Sequence, residues 1–154
     1  MTDDRSDRQY PARPIVGVGA VIIDEAGAIV LVRRKHPPLK GRWTLPGGMI
    51  ELSEPARAAI AREVLEETGL SVAVGDVVEA VDHIERDPDG RTSYHFVIVD
   101  YLCRPLGGVL RAGTDVEDVC LADPAALEPY DLTERSHAVI RRAIELYTLA
   151  GRPS

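Results

Sequence analysis

One segment of the sequence constrains the fold more than any other: residues 43–70, WTLPGGMIELSEPARAAIAREVLEETGL. Pro55 suits the first turn of a helix and Gly69 suits the position just past its end, so the segment predicts a helix over residues 54–68. Ser53 can cap this helix. With about 3.6 residues per turn, one apolar arc should pack against a sheet, and its members are Ile60, Ala61, Val64, Leu65 and Thr68.

Three glutamates occupy the other side of the predicted helix. Glu63, Glu66 and Glu67 are neighbours on its surface, and the small Ala59 one turn earlier leaves space for a ligand. A solvated acidic face is one interpretation, but like charges about 4 Å apart repel by roughly 4 kcal/mol at an effective dielectric constant of about 20. A divalent cation would reverse this interaction, and oxygen ligands favour Mg²⁺ or Mn²⁺ over Zn²⁺. Arg62 can reach Glu66 at i+4 and hold that carboxylate in place.

The rest of the chain predicts mainly strands. Residues 15–24 and 28–34 are β-branched runs around a short turn and predict a hairpin, and residues 72–85 and 92–104 predict a second pair around Asp89-Gly90. Residues 35–42, KHPPLKGR, predict a loop. The sequence PLGG at residues 105–108 predicts a turn, and Asp131 can cap a C-terminal helix.

Length and charge limit the number of domains and the kinds of partner. A chain of 154 residues suits one core, so we expect a flexible arm over residues 1–14 and a single domain over residues 15–150. The net charge of −7 disfavours nucleic acid or an anionic membrane as the main partner. We expect neither a secretory signal nor a membrane span, and Cys103 and Cys120 lack metal-ligand spacing. These features predict a cytoplasmic protein with reduced thiols.

The residues around the glutamates resemble a known motif. Gly48, Glu54 and the run REVLEETGL at residues 62–70 are similar to the Nudix box of the Nudix hydrolases at every defining position. The resemblance extends over roughly residues 15–147. It implies an α/β protein with the Nudix fold, an α/β/α sandwich with a mixed β-sheet. The activity it implies is hydrolysis of a nucleoside diphosphate linked to another moiety, with more than one Mg²⁺ or Mn²⁺ ion.

The resemblance also implies roles for individual residues. Glu63, Glu66 and Glu67, with the carbonyl oxygen of Gly48, would ligate the metal, while Glu54 would orient the site. Together with Arg62, these glutamates form the expected catalytic set. In some family members a carboxylate from a distant loop acts as the base or as a further ligand. The segment GTDVEDV at residues 113–119 offers Asp115, Glu117 and Asp118, of which we favour Glu117, and a solvated turn is the alternative.

Substrate contacts and substrate identity are less constrained. Arg33, Arg34 and Lys35 leave the second strand toward the box and can contact phosphate, or can simply end the strand. Trp43 can stack on a base, or can form part of the core or a wall.

Residues 82–102 resemble the central hairpin of small ADP-ribose pyrophosphatase-type members, which implies ADP-ribose or a related nucleotide sugar, cleaved to a nucleoside monophosphate and a sugar phosphate. A (d)NTP pyrophosphohydrolase of the nucleotide pool is the first alternative. A non-catalytic sensor of nucleotide sugars is the second, although every box glutamate is present. By analogy with ADP-ribose-cleaving relatives we also expect a homodimer, in which residues 8–14 could cross to the partner.

Overall fold

The computed structural model describes residues 8–150 of the chain. Its strands and helices follow in the order β1 (Ile15–Ile22), β2 (Ile29–Arg34), β3 (Trp43–Thr44), β4 (Gly47–Met49), α1 (Ala56–Thr68), β5 (Leu70–Arg86), β6 (Thr92–Gly108), β7 (Val116–Ala122) and α2 (Glu134–Leu149). A short 3₁₀ helix, Glu128–Tyr130, precedes α2. None of the described helices is long and apolar enough to cross a membrane.

The strands form two sheets. The larger sheet has the order β4-β1-β6-β5, and the smaller has the order β3-β2-β7. In the larger sheet β1 runs parallel to β6, from Ile15 opposite Phe96 to Ile22 opposite Cys103, while the other pairs are antiparallel. The expected mixed sheet is therefore confirmed.

Two apolar cores lie on opposite faces of β1, because successive side chains of a strand point to opposite sides. On one face Ile22 packs in a cluster with Ile60 and Val64 of α1. On the other face Val21 belongs to a cluster with Val139 and Ile140 of α2. Each helix thus covers one face, which is the expected α/β/α sandwich.

The first two strands differ from the expected hairpin. They are joined by a single bridge between Ile23 and Ile29, after which each strand enters a different sheet. The Asp24 carboxylate accepts hydrogen bonds from the backbone N–H groups of Ala26 and Ala28, at 3.0 and 2.8 Å, and closes the turn. Most residues of both strands are buried, and each strand has a neighbour on both sides within its own sheet. Proximity in sequence therefore does not decide which strands pair.

Helix α1 has a different start and a different buried face from those predicted. Pro55 is the N-cap residue and no side chain caps the helix, while Ser53 lies outside it with φ of 68°. The buried face follows Ile60, Val64 and Thr68 at steps of four residues. As a result Ala59 is fully buried and leaves no space for a ligand, and Leu65 is 53% exposed and lies outside the core.

Three further predictions near the C-terminus were wrong in detail. β6 continues through PLGG to Gly108, since Leu70 and Ser71 of β5 still pair with Gly108 and Gly107. The segment that holds Glu117 and Asp118 belongs to strand β7. Helix α2 is capped by Thr133, because Asp131 adopts φ of 48° and ends the 3₁₀ helix instead.

Candidate active site

A cavity of about 740 Å³ is bounded by β1, β4, α1 and the first turns of α2. Its acidic lining residues are Glu51, Glu63, Glu66, Glu67, Asp100 and Asp115. Its basic lining residues are Arg8, Arg34, Lys35, Arg62 and Arg135. The structure therefore brings the three box glutamates together with Gly48, which lines the same cavity.

Two glycines of β4 allow the strand to lie close to its neighbours. A Cβ atom on Gly47 would lie 2.1 Å from the Val18 carbonyl oxygen, and one on Gly48 would lie 2.3 Å from the Glu63 carboxylate carbon. A side chain at Gly47 would therefore displace the backbone of β1, whereas one at Gly48 would push the Glu63 carboxylate aside. The Gly47 N–H donates to Glu67 Oε1 at 2.8 Å, so the backbone of β4 fixes one carboxylate of the helix directly.

The Arg62 guanidinium holds several of the cavity's glutamate side chains in place. Its guanidinium donates to Glu54 at 2.8 and 3.0 Å, to Glu63 at 2.8 Å and to the Met49 carbonyl oxygen at 3.1 Å. The expected i+4 contact with Glu66 is present but longer, at 3.4 Å. Hydrogen bonding to Arg62 holds the pKa of Glu54 at about 2. Glu54 therefore fixes Arg62, and Arg62 in turn fixes Glu63.

Burial raises the pKa of two box glutamates. The pKa of Glu67 rises to about 8 because the side chain is buried, and the neighbouring Glu63 and Asp115 add to the rise, while the Gly47 hydrogen bond opposes it. Burial also raises the pKa of Glu63 against the opposing effect of Arg62. A buried carboxyl near other carboxylates holds its proton unless a cation compensates its charge.

These groups fit a hard divalent cation by their chemistry. All the candidate ligands are oxygen atoms, and the buried Glu67 lacks a full countercharge, which such an ion would supply. Among the described residues, however, no three Asp, Glu, His or Cys side chains form a cluster that could hold an ion. Glu63 and Glu66 are turned toward Arg62. They would have to rotate away from that guanidinium to bind metal with Glu67.

The other predicted site residues divide into two groups. Arg34 and Lys35 line the cavity. Their side chains donate to protein oxygens, Arg34 Nε to the Pro38 carbonyl at 2.6 Å and Lys35 Nζ to the Thr114 carbonyl at 3.0 Å.

By contrast, Arg33, Trp43 and Glu117 are not among the residues that line this cavity. Arg33 Nε lies 3.4 Å from Glu117 Oε2, so those two side chains pair with each other. The Trp43 ring packs edge-on against Tyr130, with centroids 5.7 Å apart. Of the carboxylates in residues 113–119, Asp115 is the one that lines the cavity.

Sequence reasoning missed the wall opposite α1. His83, Phe96 and Asp100 reach the cavity from β5 and β6, and Arg135 and Ser136 reach it from α2. Asp100 is only 4% exposed, and its Oδ1 lies where a side chain of Gly19 would be. Burial raises its pKa to about 7. The sequence contains one sign of this wall, namely that Asp100 is a carboxylate within the apolar run FVIVDYL.

Comparison with known proteins identifies the family and several relatives. The family model of the NUDIX domain matches residues 13–143. A protein of Methanocaldococcus jannaschii named ADP-ribose pyrophosphatase is 36% identical over 105 residues, which cover 68% of this chain and 59% of that protein. A Mycobacterium tuberculosis protein provisionally named 8-oxo-dGTP diphosphatase 2 is 51% identical over 69 residues, covering 42% of this chain and 47% of that protein. The chain thus spans only about half to three fifths of these relatives.

A solved structure extends the similarity to the fold. The crystal structure of the MutT NUDIX hydrolase from Burkholderia pseudomallei matches with a TM-score of 0.74 and 32% sequence identity. The match covers 84% of this chain and 98% of that one.

Proposed function

The chain belongs to the Nudix hydrolase family, and from that premise we propose that it is a Nudix pyrophosphohydrolase that cleaves ADP-ribose or a related nucleotide sugar with Mg²⁺ or Mn²⁺. The products would be a nucleoside monophosphate and a sugar phosphate. The observation that carries this choice is the archaeal relative named ADP-ribose pyrophosphatase, at 36% identity over 68% of the chain. The polar wall formed by His83, Asp100 and Arg135 supports it, since this wall offers hydrogen-bonding groups to a moiety beyond the pyrophosphate.

In this proposal the box residues hold the metal. Glu63, Glu66 and Glu67, with the Gly48 carbonyl oxygen, would be the ligands, after Glu63 and Glu66 turn away from the Arg62 guanidinium that they contact in this structure. Bound divalent ions offset charge on the phosphate oxygens and lower the pKa of an attacking water. Glu54 would keep Arg62 in place and would not ligate.

Other residues of the cavity would bind the substrate and move a proton. Arg34 and Lys35 would contact phosphate through donors not used by their protein partners. For the general base we now favour Asp115 over Glu117, because Asp115 lines the cavity and Glu117 pairs with Arg33. Either carboxylate would act on the attacking water, and the box glutamate Glu63 is the alternative base.

A second candidate function is hydrolysis of (d)NTPs, including oxidised ones, to a monophosphate and pyrophosphate. The mycobacterial relative named as an 8-oxo-dGTP diphosphatase favours it, at 51% identity over 69 residues. A non-catalytic sensor is the third candidate, and the presence of every box carboxylate argues against it.

Assembly and location are also part of the proposal. We infer one domain over residues 15–150, a cytoplasmic location and a homodimer. The outer edge of β5, at the margin of the larger sheet, is a surface to which a second copy could pair.

The test is a substrate panel with the purified protein. ADP-ribose, UDP-glucose, dGTP and 8-oxo-dGTP are incubated with Mg²⁺, and the products are separated by chromatography. We expect AMP and ribose 5-phosphate from ADP-ribose at the highest kcat/KM. Faster release of pyrophosphate from a (d)NTP would select the second function. If no compound is cleaved, the non-catalytic sensor is the remaining candidate.

The variant Glu67→Gln tests the metal site in the same assay. It removes one ligand charge but can still accept the Gly47 N–H, so the fold should survive. We expect activity to fall at least about 100-fold. Loss of a residue that only hydrogen-bonds to a metal ligand already lowers metal affinity or activity about 10- to 100-fold, and Glu67 is proposed to be a ligand itself. Glu145→Gln, on the exposed face of α2, is the control and should be fully active. An active, metal-dependent Glu67→Gln would contradict the assignment.

A further inference from the structure

One basic residue reaches the cavity from outside the sandwich. Arg8 precedes β1, yet it lines the cavity together with Glu63 and Glu66. Arg34 and Lys35, the residues proposed to contact phosphate, line the same cavity. Arg8 therefore shares one cavity with the box glutamates and with the phosphate-binding side.

The segment that carries Arg8 is anchored two residues later. The Tyr10 N–H donates to the Ser93 carbonyl oxygen at 2.8 Å, and the Tyr10 hydroxyl donates to Asp87 Oδ2 at 2.9 Å. The Arg91 guanidinium lies over the Tyr10 ring, 4.3 Å from its centroid. Three contacts of different kinds therefore tie residue 10 to the β5–β6 hairpin, and they limit where Arg8 can lie.

The other basic residues of the cavity each donate to a protein oxygen. Their acceptors are the Pro38 carbonyl for Arg34, the Thr114 carbonyl for Lys35, Glu54 for Arg62 and the Asp82 carbonyl for Arg135. Those contacts orient four cations along the walls. Arg8 instead comes from the segment that precedes β1.

We propose that Arg8 binds phosphate oxygens of the substrate's pyrophosphate and that the Tyr10 anchor positions it to do so. The inference rests on the proposed function, since it assigns a ligand to the same cavity. A guanidinium suits this role because its planar donors match two phosphate oxygens at once. Residues 8–10 are then part of the binding site.

The first test compares Arg8→Gln with Arg13→Gln. Arg13 is exposed, lies in the same segment and does not line the cavity, so its variant makes the same change of charge without the proposed contact. We expect Arg8→Gln to raise KM for ADP-ribose about tenfold with little change in kcat, because the contact forms with substrate and transition state alike. Equal KM values in the two variants would overturn the proposal.

The second test asks whether Tyr10 acts through Arg8. Tyr10→Ala removes the ring and the hydroxyl, and we expect it to raise KM severalfold. In a chain that already carries Arg8→Gln, the same substitution should raise KM no further. Full additivity of the two effects would show that Tyr10 matters for another reason, and the positioning role would be wrong.

The third test separates this inference from the proposed function. Binding of inorganic pyrophosphate with Mg²⁺ is measured by isothermal titration calorimetry, so no turnover is needed. We expect Arg8→Gln to weaken binding about tenfold relative to wild type and Arg13→Gln to leave it unchanged. If the substrate panel fails but this difference holds, the substrate is wrong and the phosphate contact stands. If wild type does not bind pyrophosphate, or Arg8→Gln binds as tightly as wild type, the contact does not exist.

Discussion

Asp100 shows how one buried carboxyl couples stability to pH. Burial raises its pKa from 3.8 to about 7, and Glu79 adds to the rise while Arg135 opposes it. Because the folded-state pKa lies above the unfolded-state value, the folded chain keeps a proton that the unfolded chain releases between these pH values. The stability that Asp100 contributes is therefore fully present below about pH 4 and is lost as pH rises to about 7.

We expect Asp100→Asn to remove the loss of stability that ionisation of Asp100 causes as the pH rises. The variant keeps the shape of the side chain over Gly19 but does not ionise. Its free energy of unfolding, relative to wild type, should increase between pH 4 and pH 8 by up to roughly 4 kcal/mol. Urea unfolding at the two pH values measures this difference, with Asp89→Asn at the exposed hairpin turn as the control. The same pH dependence in both variants would contradict the argument.

Single residues were predictable where local spacing determines their positions. Glu63, Glu66 and Glu67 had to be neighbours because a helix repeats every 3.6 residues or so, and the structure places all three at the cavity. The main partner of Arg62 was missed, because Glu54 is eight residues away across the start of the helix. Asp100 and Arg8 reach the cavity only through the pairing of β6 with β1 and the anchor at Tyr10, and no local pattern reports either.

The helices show the same contrast between features that local sequence patterns predict and features that they do not. Both were predicted, α1 from Pro55, Gly69 and the spacing of its apolar residues and α2 as a C-terminal helix, and both form. Gly69 ends α1 as predicted. The N-caps of both helices were predicted wrongly, because an N-cap depends on the backbone dihedral angles of one residue. Several polar residues precede each helix, and the sequence does not decide which one adopts the extended conformation.

The two helix starts provide a matched test of the observed caps. The Thr133 hydroxyl oxygen accepts the Ser136 N–H at 3.1 Å, so Thr133→Ala should lower the free energy of unfolding by about 1 kcal/mol. The Ser53 side chain does not cap α1, so Ser53→Ala should change the free energy of unfolding by less than about 0.5 kcal/mol. Urea unfolding at neutral pH measures both values. A larger loss for Ser53→Ala would restore it as the cap of α1.

Strand pairing was the least predictable feature of the sandwich. The sequence indicated where β1, β2, β5 and β6 lie, within a few residues, because β-branched runs and turn residues are local signals, but it did not indicate β3, β4 or β7. It did not indicate that β1 leaves β2 to lie between β4 and β6. That pairing brings Gly47 and Gly48 beside α1, and so the cavity depends on long-range contacts that periodicity does not encode.

For the molecule as a whole, the cavity gathers carboxyl groups inside an already acidic protein. The chain carries a net charge of −7, and six of its carboxylates line one cavity. Ionising Glu67 in the folded protein is unfavourable, as its pKa of about 8 indicates. A divalent cation that binds the folded state alone should therefore stabilise the whole chain by mass action.

We expect the melting temperature of the metal-free protein to rise when Mg²⁺ or Mn²⁺ is added at pH 8. At a concentration of about 100 Kd the stabilisation is roughly 2.7 kcal/mol, which for a chain of this size corresponds to about 5–10 °C. Differential scanning fluorimetry measures the shift, and NaCl at matched ionic strength controls for screening of surface charge. Glu67→Gln should lose most of the shift, while Glu145→Gln should keep it. A shift that NaCl reproduces, or that survives Glu67→Gln, would mean that the ion acts on general charge and that the box does not form the site.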